Sequence, residues 1–137
     1  MCRADGVATM VEQRTHARTS ERYVGRPVSL EEGRAVVELE TTDEMAVDEH
    51  DLVHGGFVFG AADYAAMLAV NEPTVVLVGA DVSFSAPTTV GDTIRATATV
   101  DGDADGLVVE CEVETDGGDR VFVGTFECAV PDEHVLS

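Results

Sequence analysis

The chain has 137 residues, 45% of them hydrophobic, enough for one domain with a buried core and too many for a disordered chain. It carries 27 acids against 8 bases, a formal net charge of −19. Every base is arginine, and a surface this acidic repels nucleic acid and anionic lipid, so neither is an expected partner.

Cys2, Cys111 and Cys128 form no CxxC pair and leave an odd count, which points to neither a disulfide framework nor a zinc site. No basic segment followed by an apolar run opens the chain, and no apolar stretch reaches about 18 residues without interruption. The expectation is a soluble, cytoplasmic protein that forms a single domain over 1–137. Within it, residues 1–20 are a polar, poorly defined N-terminal segment, weakly helical from Met10 to Ser20.

From Arg34 the pattern sharpens. Ala35, Val37 and Leu39 alternate with Val36, Glu38 and Glu40, the period of a half-buried strand. Residues 55–71, GGFVFGAADYAAMLAVN, are apolar nearly all round and stop before Glu72-Pro73. That composition predicts a helix buried on most sides, with Asn71 as its C-cap. Val76, Val78, Ala80, Val82 and Phe84 then fall on one face of a long strand, and Ile94, Ala96, Ala98 and Val100 repeat the period. Leu107, Val109, Cys111 and Val113 alternate with Val108 and three glutamates, and Val121 to Val130 closes the series. Turns are expected at Val90-Gly91-Asp92, Asp101 to Gly106 and Asp116 to Asp119.

Acids on one strand face only imply an antiparallel sheet with one wet side. The order is a buried helix followed by a four-stranded meander, with one or two strands before it. This predicts an α+β fold whose curved antiparallel sheet wraps around a long central helix. Cys111 lies on the core face as a small hydrophobe.

The only charge between Gly55 and Asn71 is Asp63, whereas the chain's overall frequency of acids would place about three there. Burying a carboxylate costs several kcal/mol unless it is hydrogen-bonded or lines a cavity, so a carboxylate held there is a candidate for function. Its plain structural alternative is a cap or a pairing with an arginine across an interface. Upstream stands His54-Gly55-Gly56. Two glycines at a helix start let a ligand approach closely, and the free N–H groups there attract negative charge. An oxyanion hole needs those properties. Gly56 and Asp63 are seven residues apart, about two turns, and so share a helix face. Tyr64 and Met67 neighbour Asp63 and either line a substrate pocket or pack the core. His16, His50 and His134 sit among polar residues and read as solvated. Arg95 reads as a solvated strand residue, with a phosphate contact as its alternative. His50 and His54 are four apart, but the glycines after His54 argue against a helical metal-ligand face, so no metal is expected.

The segment HGGFVFGAADYAAMLAVN, followed by VSFSAPTTVGD, resembles the hotdog-fold acyl-CoA thioesterase superfamily, in particular the branch of phenylacetate-pathway thioesterases. The likeness runs from about Arg34 to Val130. It includes the His-Gly-Gly loop, the Asp two turns later, and Phe84, Pro87, Gly91 and Asp92. It implies a hotdog fold and an acyl-CoA substrate, with no cofactor. It further implies that Gly56 donates its N–H to the thioester carbonyl, that His54 shapes the loop, and that Asp63 is nucleophile or general base. Gly55, Tyr64 and Met67 would bind substrate. The site would lie at the subunit interface of a homodimer or homotetramer, Asp63 facing the Gly56 loop of the partner. The chain departs from related enzymes where they carry an Asn or Gln, about six residues before the histidine. Here the stretch reads Asp48-Glu49-His50-Asp51, and no role is carried over to Asp48. The other reading is a hotdog domain that binds acyl-CoA or a fatty-acyl ligand without cleaving it. A hotdog hydratase is disfavoured because no histidine follows Asp63 on the helix. The acid-rich, lysine-free composition also resembles that of cytoplasmic proteins from haloarchaea, where molar salt shortens the Debye length to roughly 3 Å.

Overall fold

The computed structural model describes residues 10–102 and 107–137. Cys2 and part of the expected Asp101 to Gly106 turn lie outside the described residues. The elements in chain order are α1 (Glu21–Val24), β1 (Arg26–Glu31), β2 (Arg34–Glu40), a 3-10 turn (Asp43–Met45), α2 (Gly55–Val70), β3 (Val76–Phe84), β4 (Thr93–Val100), β5 (Leu107–Thr115) and β6 (Arg120–Ala129). The expected helix from Met10 to Ser20 does not form. Met10 makes a parallel bridge to Leu30 and Val11 N–H donates to Leu30 O, so this stretch starts along β1, and the first helical turn among the described residues is α1.

The six strands form one antiparallel sheet in the order β1-β2-β4-β5-β6-β3. The expected meander holds for β4, β5 and β6. It fails for β3, which pairs with β6 at the far edge instead of with β4. Sequence proximity suggested the wrong neighbour because α2 separates β2 from β3, and β4 fills the place beside β2.

The alternation that marked the strands is the division between core and solvent. Ala35, Val37, Leu39, Ile94, Ala96, Ala98, Val109 and Val113 are fully buried, and Cys111 with them. The outer face carries Arg95–Glu38, Arg26–Glu38 and Arg120–Glu112 ion pairs. Arg95 is therefore engaged with Glu38 across the β2–β4 pair. In β3 a bulge between Leu77 and Gly79 breaks the period. Ala80, Val82 and Phe84 stand opposite Phe126, Gly124 and Phe122 as an alternating face requires, but Val78 turns outward and is 62% exposed.

Helix α2 fills the concave side. Nine of its residues are buried, from Val58 to Ala69, and five of those are alanine, which lets the sheet approach the helix backbone closely. Asn71 ends it in the left-handed conformation (φ 54°), its N–H donating to Met67 O at 2.9 Å, and Pro73 follows where the helix cannot continue. Phe59 of α2 meets Phe126 (5.5 Å between ring centroids) and Phe122 (6.3 Å), and Phe84 meets Phe122 at 5.2 Å. At Gly124 a Cβ would lie 2.5 Å from Val82 Cγ1, so only glycine permits the β3–β6 spacing there. A curved sheet wrapped around one long helix is the hotdog arrangement that the resemblance implied. Among the described residues no helix is long and apolar enough to cross a membrane.

Phe122 is fully buried and joins three other aromatic rings. Phe122→Ala is expected to lower stability by about 3–5 kcal/mol, read as a drop in the denaturant midpoint with unchanged slope; a loss under about 1 kcal/mol would show that the aromatic cluster does not anchor β3.

Candidate active site

Asp63 sits in the middle of α2, over β5 and β6. The backbone oxygen of its neighbour Ala62 accepts a 3.8 Å contact from Cys111 Sγ. Its carboxyl raises the pKa of both Cys111 and Cys128. The residue as a whole is half-buried, but Oδ1 is sealed from solvent and has no hydrogen-bond partner among the described residues. Desolvation without a compensating donor disfavours the charged form, and the Asp63 pKa is pushed up to about 6. Among the described residues no donor reaches Oδ1, and no arginine of the same chain pairs with Asp63. The thiols beneath are inert: burial, then Glu112 and Asp63, push Cys111 up to about 12. Burial and Asp63 take Cys128 to about 11.

His54 is the N-cap of α2, and its Nδ1 accepts from the Gly56 N–H at 2.7 Å. That bond fixes the ring over the helix start and requires Nδ1 to be unprotonated. The glycine pair has a packing reason in addition to any ligand. A Cβ on Gly56 would lie 3.0 Å from His54 Nδ1, and one on Gly55 would lie 3.2 Å from the Phe84 ring. Both glycines thus seat an aromatic ring. In this chain alone the Gly56 N–H points at imidazole, while helix geometry leaves Gly55 N–H without an intrahelical acceptor.

The structure places Tyr64 and Met67 in the core, 6% and 1% exposed. Tyr64 lies a hundred degrees round the helix from Asp63 and meets the N-terminal segment: its hydroxyl accepts from Gln13 Nε2 at 3.3 Å, and its ring lies 6.4 Å from that of His16. His16 is accordingly not solvated as expected. It is half-buried, bonded to Thr15 Oγ1 at 2.8 Å, with its pKa lowered by burial. Asp48 has a local task, its Oδ1 accepting from the N–H groups of His50 and Leu52. Phe59 escaped the sequence reading, although its position four residues before Asp63 puts it on the same helix face.

No protein-family model matches the chain. It is similar to a protein of known structure from Pyrococcus horikoshii, the uncharacterized PH1136, at 53% identity. That alignment covers 94% of this chain and 99% of the other, with a TM-score of 0.89. It is 48% identical over 116 residues to the methylthioribose-1-phosphate isomerase of Aquifex aeolicus, a match that takes in 82% of this chain but 25% of that protein. It is 37% identical over 75 residues to the acyl-coenzyme A thioesterase PaaI of Escherichia coli, 53% of each chain. The structure of the E. coli PaaI protein superposes with a TM-score of 0.72 at 28% identity, over 80% of each chain. This chain thus spans about a quarter of one curated relative and half of the other.

Because its carboxyl titrates near 6 in the fold against 3.8 for a free Asp, Asp63 opposes folding once it is ionised. Between those values the folded state binds more protons than the unfolded, so its contribution to stability falls as pH rises through the window and then levels off. Asp63→Asn is expected to be more stable than the parent above pH 7, by on the order of 2–3 kcal/mol. The difference should vanish below pH 4. Thermal melts of the two proteins across that range measure it, and an equal or lower melting temperature for the variant at pH 7.5 would contradict the site's electrostatics.

Proposed function

Because the chain belongs to the family of the Pyrococcus horikoshii protein PH1136 and has the hotdog fold of PaaI-like neighbours, we propose that it hydrolyses an acyl-CoA thioester to a carboxylate and CoA. The observation that carries this reading is the unpartnered, buried Oδ1 of Asp63, on the helix face that leads back to the glycine turn. The likeness to a relative named acyl-coenzyme A thioesterase supports it.

Above about pH 6 Asp63 is ionised. It then attacks the thioester carbonyl carbon or takes a proton from the water that does. On either route the carbonyl oxygen gains negative charge and needs a donor. As general base, Asp63 passes the proton taken from water to the sulfur as the C–S bond breaks. As nucleophile, it displaces the thiolate to form an acyl-aspartyl anhydride, which water then hydrolyses to the free carboxylate, the proton released passing to CoA. Gly56 N–H is that donor, with the His54 ring, which holds this N–H in the free protein, turning aside as substrate enters. Gly55 and Phe84 border the approach, and Phe59 lies along the acyl group. Tyr64 and Met67, being core, support α2 from behind. No cofactor takes part.

One chain does not complete this arrangement. Seven residues of helix separate Asp63 from Gly56 by about 10 Å of rise, whereas both must stand about 3 Å from one carbonyl group. We therefore assign the two to different chains, Asp63 of one facing Gly56 of the partner subunit. The edge of β3 supports such an assembly. It is nine residues long, no strand pairs with its outer side among the described residues, and it exposes Val78 and Phe84. Open strand edges of this kind recruit a second chain. A homodimer, or a homotetramer of two such dimers, follows.

Release of free thiol from a panel of acyl-CoAs, in molar KCl to screen the −19 charge, tests the proposal. Asp63→Asn is expected to lower kcat by at least about 10²-fold. In the parent, kcat/KM should rise with pH through about 6 and then level, since the ionised carboxylate is the reacting form. Equal rates for the two proteins would defeat the catalytic assignment; tight acyl-CoA binding without thiol release would favour a binding domain.

A further inference from the structure

Eight arginines serve a chain with 27 acids, so a guanidinium left without a carboxylate is unexpected. Six of the seven described arginines are ion-paired: Arg14 with Glu72, Arg22 with Glu44, Arg26 and Arg95 with Glu38, Arg34 with Glu31, and Arg120 with Glu112. Arg18 has no such partner among the described residues. It lines a cleft of about 480 Å³ together with Arg14, His16, His134, Pro73 and Val75. Arg14 is held only at 3.8 Å by Glu72, with both side chains about half exposed, so its guanidinium is available to a stronger partner.

Two arginines and two of the four histidines thus converge on one cleft of a strongly acidic molecule. The floor is rigid. Gln13 ties residues 13–16 to the Tyr64 hydroxyl, and Arg14 N–H and Glu12 O are held by the Asn71 side chain at 2.8 Å each. The cationic segment is therefore fixed to α2 at Tyr64, the residue after Asp63, and at the end of the same helix.

We propose that this cleft binds phosphate groups, and that in the thioesterase reading, on which this part rests, they are those of the CoA nucleotide. The guanidinium fork of Arg18 matches phosphate geometry, and Arg14 and the two imidazoles surround it. Selectivity follows from scarcity: in this acidic chain the cleft is lined by two guanidiniums and no carboxylate, with two imidazoles beside them.

Calorimetric titration with CoA, adenosine 3′,5′-bisphosphate and inorganic phosphate tests it, beside KM measurements on an acyl-CoA and the same acyl group carried on N-acetylcysteamine. Arg18 is exposed and has no ion pair among the described residues, so Arg18→Gln is expected to melt like the parent, with Arg18→Lys as a charge-retaining control. The glutamine variant should bind CoA and the bisphosphate about tenfold more weakly or worse, as for loss of a charge-assisted hydrogen bond. It should raise KM for the acyl-CoA in proportion and leave the truncated thioester unaffected, and the lysine variant should recover part of the loss. Unchanged CoA affinity in Arg18→Gln would overturn the cleft assignment while hydrolysis stands. Weakened CoA binding in a protein that cleaves no thioester would sustain the cleft and defeat the thioesterase reading. Binding of inorganic phosphate without any gain for CoA would assign the cleft to another phosphorylated ligand and overturn the nucleotide proposal.

Discussion

Oδ1 of Asp63 is cut off from water and from every donor among the described residues, in a helix whose remaining positions are apolar. An uncompensated carboxylate is among the more expensive groups a small protein can bury, and the fold around it is arranged so that it can be kept. The alanines of α2 let the sheet approach the helix closely, and the aromatic cluster of Phe59, Phe122 and Phe126 packs one turn before Asp63. The cost appears as a raised pKa, and a raised pKa near 6 leaves the group ionised yet basic at neutral pH.

The helix start answers to the same requirement. His54 caps α2 through the Gly56 N–H, and the two glycines make room for His54 and Phe84. Their absence of side chains is needed for packing before any substrate is considered. In the proposed mechanism packing and catalysis do not compete, because the backbone N–H that a rotatable imidazole caps would be a donor kept in reserve. Rise along the helix sets the quaternary requirement of that mechanism, since a donor and a carboxylate about two turns apart would meet at one carbonyl only across a pair of chains.

Much of this was legible in the sequence, for identifiable reasons. Strands β2, β4 and β5 separate glutamate and threonine from valine and alanine so cleanly that their faces could be read directly. Asp63 stood out because its surroundings exclude charge, and Asn71 because its place before Glu72-Pro73 marks a helix end. What failed depended on contacts between distant segments. The phase of β3 shifts at the Leu77/Gly79 bulge, and its pairing with β6 is set by the closure of the sheet. The stretch after Met10 has residues tolerated in a helix, yet its Val11 amide finds Leu30 and its Gln13 finds Tyr64. Tyr64 and Met67 lay near Asp63 along the chain, whereas Phe59, one turn earlier on the same face, is the better-placed neighbour. The cationic cleft was invisible because its members come from residues 14–19, 73–76 and 134.

Subunit complementation tests most directly whether Asp63 acts opposite Gly56 of the partner subunit. Asp63→Asn removes the carboxylate, and Gly56→Pro removes the N–H at a first-turn position. The proline ring displaces the His54 imidazole that a Cβ there would meet at 3.0 Å, so folding and dimer formation of this variant are verified by melting and sedimentation first. Each variant alone should be inactive. Refolded together at equal amounts, half of the dimers are mixed, and each mixed dimer pairs one intact Asp63 with one intact Gly56, so activity should return to about a quarter of the parent's. A mixture as inactive as its parents, with mixed dimers shown to have formed, would contradict the shared site.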